Sequence, residues 1–332
     1  MQKLKIIFLS LFILSAVISC KKSGNSPEPE KPKVYDVYVT GGTTVGGKKI
    51  ATFWKNGVET KLSNDMSNTV AIAAKGSDTF IIGSIVDAWT YTTVYWKNGQ
   101  LVKLNNGGTP TSTLGEPKSI SIDGNDVYIL GPSRVYWKND VPTAINNFSG
   151  SINNLISKNG SLYMTGSSFT DWKYFANGTT TNLTDVREIA KTAMHGNDFY
   201  MVGTAVNVGV NGSDAVYWKN GVMQAADSAP KTFIANGRAI AVNEKGVHVV
   251  GWIEGNGGYH AAYWLNGNAT RLATAPNYNS VNAFDIFLQD QDVYVAGKFN
   301  NHACYWKNGN IVTLNSESGV SQANGIVLVP RN

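Results

Sequence analysis

From Val34 onward the chain alternates short apolar runs with polar turns on a fixed period. The phrase aromatic-Trp-Lys-Asn-Gly, as in "VYWKNGQ" and "CYWKNGN", recurs around Trp54, Trp96, Trp137, Phe175, Trp218, Trp264 and Trp306. The gaps are 42, 41, 38, 43, 46 and 42 residues. A second phrase runs in step: "DVYVTG" from Asp36, "DTFIIG" from Asp78, "DVYILG" from Asp126, "SLYMTG" from Ser161, "DFYMVG" from Asp198, "GVHVVG" from Gly246 and "DVYVAG" from Asp292. A weaker apolar phrase precedes most of these, such as "VAIAA", "SISI" and "AIAV". Each run is too short for a helix and has the alternation or β-rich composition of a strand.

One period therefore predicts four strands: a (the weak phrase), b (DVYVxG), c (AxYW) and d (a short run ending near a Leu). Asn-Gly stands between c and d at Asn56, Asn98, Asn177, Asn220, Asn266 and Asn308. A type I′ hairpin needs positive φ at both central residues, which Asn and Gly tolerate best. A period near forty containing four strands predicts propeller blades. The chain enters at strand b of the first unit and ends in "ANGIVLVP", residues 323–330, which matches strand a. The expected fold is all-β: a seven-bladed β-propeller of four-stranded blades, closed by the C-terminal strand completing the N-terminal blade. The repeated Trp are read as packing residues between blades.

In residues 239–272 the unit reads "AIAVNEKGVHVVGWIEGNGGYHAAYWLNGNATRL", with a related "HACYW" at 302–306. This resembles the HAF-type extracellular repeat of secreted bacterial proteins. The resemblance runs over all seven units but is sharp only in the sixth; units other than the sixth and seventh lose the His. It implies an extracellular β-propeller and no settled activity.

The 332 residues are 42% hydrophobic and 15% charged, with 34 Gly, a profile of β-rich extracytoplasmic proteins. The formal charge of +5 falls to +3 without Lys3 and Lys5 and forms no basic stripe, which argues against a nucleic-acid partner. Residues 1–19 read as a secretory signal: two lysines, then an apolar run from Ile6 to Leu14. Val17-Ile18-Ser19-Cys20 resembles a bacterial lipobox, which implies cleavage before Cys20 and its lipidation. Lys21 in place of Asp implies, by the same resemblance, an outer-membrane lipoprotein, facing either the periplasm or the cell surface. Residues 20–33 are then a lipidated Cys and flexible tether, and 34–332 the propeller. Cys304, the only other cysteine, is read as a small core residue.

Catalytic signals are weak. The chain has no GxSxG, HExxH or Walker loop, and only four His. Asp65, Asp87, Glu116, Asp171, Asp185, Asp214, Asp227, Glu254 and Glu317 fall towards the b–c and d–a connections, with no pair marked out for glycoside hydrolysis. Asp171, Asp214, His260 and His302 stand four residues before the repeat aromatic in consecutive units. Strand c lies about 14 Å from the axis, so such positions are roughly 12 Å apart, too far to share an ion. No metal, cofactor or catalytic residue is expected.

The b–c and d–a connections vary in length and form the candidate binding face. Trp89, Trp172 and Trp252 lie outside the repeat position, with Tyr91, Tyr259, His260, Tyr278 and His302 as further ligand-binding candidates. Their grouping in one cleft would point to recognition of a glycan or an envelope protein, the preferred function. A close carboxylate pair in the axial depression would point instead to a polysaccharide hydrolase or lyase. A flat polar face with an apolar side patch would indicate a structural part in an envelope assembly. The chain is expected to be a monomer, held at the membrane only by its lipid.

Overall fold

A computed structural model describes residues 33–104, 114–169, 171–206, 214–226, 234–255, 258–276, 280–314, 316 and 319–331. Among the described residues the alternating runs form 28 strands. Blade 1 holds β1 (Tyr35–Val45), β2 (Lys48–Lys55) and β3 (Val58–Lys61). Blade 2 holds β4 (Ser67–Lys75), β5 (Asp78–Asp87), β6 (Thr90–Lys97) and β7 (Gln100–Lys103). Blade 3 holds β8 (Ser119–Asp123), β9 (Asp126–Leu130), β10 (Val135–Lys138) and β11 (Val141–Ala144). Blade 4 holds β12 (Ser151–Lys158), β13 (Ser161–Ser168), β14 (Asp171–Ala176) and β15 (Thr179–Leu183). Blade 5 holds β16 (Val186–His195), β17 (Asp198–Ala205), β18 (Asp214–Lys219) and β19 (Val222–Ala225). Blade 6 holds β20 (Ala235–Asn243), β21 (Gly246–Gly255), β22 (Gly258–Leu265) and β23 (Asn268–Ala275). Blade 7 holds β24 (Val281–Gln289), β25 (Asp292–Phe299), β26 (His302–Lys307) and β27 (Asn310–Thr313). The final strand, β28 (Ser321–Pro330), completes blade 1 in the order β28-β1-β2-β3. The result is a seven-bladed β-propeller whose ring closes between the two ends of the chain, with Tyr35 opposite Pro330 and Thr43 opposite Ser321.

The repeated phrase is one hydrogen-bonded unit. In blades 1, 2, 3, 5 and 7 the Asp that opens strand b takes a hydrogen bond from the turn Asn: Asn56, Asn98, Asn139, Asn220 and Asn308, at 2.7–2.8 Å. The same Asp pairs with the Lys before that Asn, as Lys307 pairs with Asp292 at 2.8 Å. The Lys ammonium also stands over the ring two residues beyond the Asp, 5.2 Å from Tyr294 in blade 7. The Asn accepts a backbone N–H in return, Val293 N to Asn308 Oδ1 at 2.8 Å. Each hairpin thus locks strand b to the c–d turn. Asn56 (φ 51°) and Gly57 (φ 85°) show the positive pair that a type I′ turn demands.

Trp54, Trp96, Trp137, Trp218, Trp264 and Trp306 are all fully buried. Trp96 of blade 2 packs with Ala51 of blade 1, and Trp306 of blade 7 with Val250 and Ala261 of blade 6. The repeat Trp is therefore the inter-blade core, and Cys304 is buried beside Trp306.

The Gly ending each strand-b phrase has a different cause. The inner strand opposite carries an extra residue at Asn324, Val70, Asn153, Ala190, Arg238 and Phe284 in blades 1, 2, 4, 5, 6 and 7, and blade 5 has a second one at Arg187. These bulges swing a carbonyl across the ladder. A Cβ on Gly41, Gly83, Gly166, Gly203, Gly251 or Gly297 would lie only 1.8–2.1 Å from that oxygen. Blade 3 has no such shift, and there a Cβ on Gly131 would instead meet the Trp137 ring at 2.2 Å.

Candidate functional site

The a–b and c–d turns lie at one end of the propeller, the b–c and d–a connections at the other. The differing b–c lengths turn out to be extended hairpins in blades 1, 2 and 7, closed by the two-residue turns Gly46-Gly47, Ala88-Trp89 and Asn300-Asn301. Extra residues add strand pairs rather than loop, so these tips stand out from the face on rigid ribbons.

Trp89 occupies the tip of the β5–β6 hairpin and is 87% exposed as a residue. Its φ of 68° follows Ala88 at 45°. Neither residue is suited to a left-handed turn position, and a bulky one costs about 1–3 kcal/mol there. Trp89 forms one wall of a cleft of about 570 Å³ that also has Lys48, Asp65, Met66 and Asp87 in its lining. Tyr91 is exposed two residues along β6. The cleft thus offers an open aromatic face beside two carboxylates and an ammonium, with no buried polar anchor to presume one charge type.

The other sequence candidates are placed differently. Trp172 and Trp252 sit within β14 and β21, not in loops, and are half-buried. Trp172 packs onto the blade 5 cluster of Ile189, Met201 and Trp218. Trp252 is tilted against Tyr259, ring centroids 5.9 Å apart. Tyr259 donates to Glu254 Oε1 at 3.1 Å, and that bond raises its phenol. His260 is buried, with Nδ1 2.8 Å from Thr274 Oγ1. His302 is exposed at the start of β26. Tyr278 lies outside the described residues, as do Cys20, Asp227 and Glu317. Trp89, Trp172 and Trp252 fall in blades 2, 4 and 6, and only Trp89 lines the cleft, so the expected grouping of the three in one cleft is not found. Sequence reasoning passed over Phe169, which is fully exposed at the b–c turn of blade 4 with φ 55°; its signal was an aromatic where a turn residue belongs.

The axis holds a second cavity of about 470 Å³. The bulged residues Val70, Asn153, Ala190, Arg238, Phe284 and Asn324 all line it. Lys191 Nζ of blade 5 reaches past blade 6 to Asp285 Oδ1 of blade 7 at 2.5 Å. Asp285 Oδ2 accepts from Ile326 N at 3.2 Å. Arg238 Nη1 meets Glu188 Oε1 at 3.3 Å. Both channel carboxylates are thus joined to cations, and Lys118 adds a further positive charge at the wall. The signal for this lining was a charge inside an innermost strand, as in "EIAKTA" and "NAFDIFL". Among the described residues no group of three or more His, Cys, Asp or Glu could hold a metal ion.

No family model matches the chain, and no curated protein matches it either. Solved structures resemble it in fold. A protein from Lactobacillus plantarum superposes with a TM-score of 0.52 at 11% identity, covering 89% of this chain and 100% of its own. A putative 6-phosphogluconolactonase from Bacteroides fragilis gives 0.51 at 13% identity, covering 91% and 100%. The β-propeller domain of the Trilobed protease from Pyrococcus furiosus gives 0.34 at 10% identity, over 75% of this chain and 96% of its own. At such identities the likeness is one of scaffold.

Proposed function

We propose that this chain is a non-catalytic recognition propeller that binds a glycan through the cleft at Trp89. The observation that carries the reading is a single residue: a Trp at a hairpin tip, almost fully exposed, in a backbone conformation that disfavours it. A Gly or Asn there would be more stable, and an exposed indole face is the surface on which sugar rings stack. Asp65, Asp87 and Lys48 supply polar groups around it for hydroxyls. Replacing Trp89 with Ala is expected to weaken oligosaccharide binding at least tenfold on a glycan array and in titration calorimetry. Tm should move by no more than about 2 °C, since an exposed side chain is lost. Equal binding by both proteins would remove the site from this cleft.

The same proposal includes a lipid anchor at Cys20 and residence at the outer membrane. Strand β1 starts at the tight-turn end, where Val37 N donates to Asn56 Oδ1 at 2.9 Å. The end of the propeller that carries Trp89 is therefore opposite the end at which strand β1 begins. Changing Cys20 to Ser should move the protein from the membrane fraction to the soluble one. Retention in the membrane without an acyl group would overturn the anchor.

A further inference from the structure

At the seam where the ring closes, blades 7 and 1 enclose a recess of about 130 Å³ on the binding face. By the roughly 30 Å³ share of each molecule in liquid water, this is room for about four waters or one small ion. Lys49 of β2 and Lys298 of β25 line it, together with Thr44 and Asn301. Lys49 folds back over β1, where a Cβ on Gly42 would lie 2.8 Å from its Cε. Gly42 thus gives the Lys49 stem its path inward. Among the described residues neither ammonium makes a hydrogen bond or an ion pair. Among the described residues no carboxylate lines the recess.

Two cations brought to one recess, with no hydrogen-bonded partner among the described residues, call for an explanation. Lys49 as a residue keeps access to solvent, yet burial around its head group lowers its pKa, with Glu116 the carboxylate that opposes this. Burial lowers Lys298 as well, and Lys49 lowers it further. Glu116 is already engaged by the Asn68 amide. Lys49 is exposed and Lys298 half-buried, and two like charges lining one recess repel unless an anion enters between them; charge-assisted bonds from two ammoniums are the strong kind.

We infer that Lys49 and Lys298, aided by the Thr44 hydroxyl and the Asn301 amide, form a subsite for one oxyanion: a sulfate or phosphate ester, or a carboxylate. The inference rests on the glycan reading only for the anion's source, which would be an acidic sugar. Lys48 and Lys49 are consecutive on β2 and line the Trp89 cleft and this recess respectively, so one extended chain could reach both.

The full mature chain is titrated with sodium sulfate, inorganic phosphate and glucuronate against chloride of matched ionic strength, with Tm and calorimetry as readouts. Wild type should show saturable binding of at least one of them. Lys49→Gln and Lys298→Gln should each weaken it about tenfold, and the double variant should abolish it. Lys158→Gln, at the opposite end of the propeller, should change nothing. Without anion, Lys298→Gln should melt no lower than wild type, because it relieves a repulsion. Sulfated and uronate-containing oligosaccharides then separate the two sources. No saturable binding in wild type, or equal binding by the double variant, would overturn the subsite. Small-anion binding without any oligosaccharide binding would leave the subsite standing and sink the glycan reading. Neutral glycan binding without anion binding would do the reverse.

Discussion

His248 shows how much one residue can reveal once its surroundings are known. It is fully buried, with Nδ1 2.8 Å from the Tyr263 hydroxyl and Nε2 3.0 Å from Asn243 Oδ1. Burial, helped by Lys245, lowers its pKa to about 4. An unfolded chain has this group near 6.5, so between those values the unfolded state binds more protons. The sign follows: stability is whole above about pH 6.5 and falls as pH drops towards 4. Its share of the loss from pH 7.5 to 5.5 should be roughly 1–1.5 kcal/mol. Urea denaturation at the two pH values should show this slope in wild type and a shallower one in His248→Gln. Identical slopes would mean that the ring is already free to protonate in the fold. The phrase "GVHVVG" places His248 in a strand run, but it holds no sign of the two hydrogen bonds that isolate the ring.

At the scale of the strand and hairpin, the glycines of the second phrase are as telling as its tryptophans. Gly83 faces the Asn68 carbonyl and the Trp96 ring, which would lie 2.0 and 2.9 Å from a Cβ. Backbone cannot give way there without undoing the bulge at Val70. Gly83→Ala should therefore cost about 2–4 kcal/mol, read as a fall in Tm, whereas Gly319→Ala, with nothing within 4 Å, should be nearly neutral. A mild effect at Gly83 would show that the bulge is soft. The Gly was visible in every unit as sequence, but its reason was not, because the clash is with a strand it meets only through the ladder. The hairpin tips carry the same lesson. Trp89 stood out as a Trp off the repeat, yet only the register Asp87 opposite Thr90 puts it in a two-residue turn.

At the scale of the whole ring, stability depends on a strand from the far end of the chain. Strand β28 contributes Ala323, Ile326 and Leu328 to the cluster that buries Trp54 and Val39, and its Val327 and Val329 to the one that buries Trp96. Two of the seven inter-blade cores thus depend on the ten residues of β28. Deleting residues 321–332 should open the seam, lower Tm by many degrees and expose an apolar edge that aggregates. A truncated chain that melts with the full one would contradict the observed closure.

The sequence by itself determined the blade count, the strand order within each unit, the turn type and the burial of the repeat Trp. All of these are local or periodic: they depend on alternation, on Asn-Gly chemistry and on a pattern repeated seven times, so neighbours along the chain suffice to define them. What only the tertiary structure decided is where different blades meet. The Lys191–Asp285 bridge spans blades 5 and 7, and Lys49 and Lys298 come together only because β28 closes the ring beside β1. Such pairs are made by the curvature of the ring and by side chains one residue off the repeat, and no periodic signal in the chain records them.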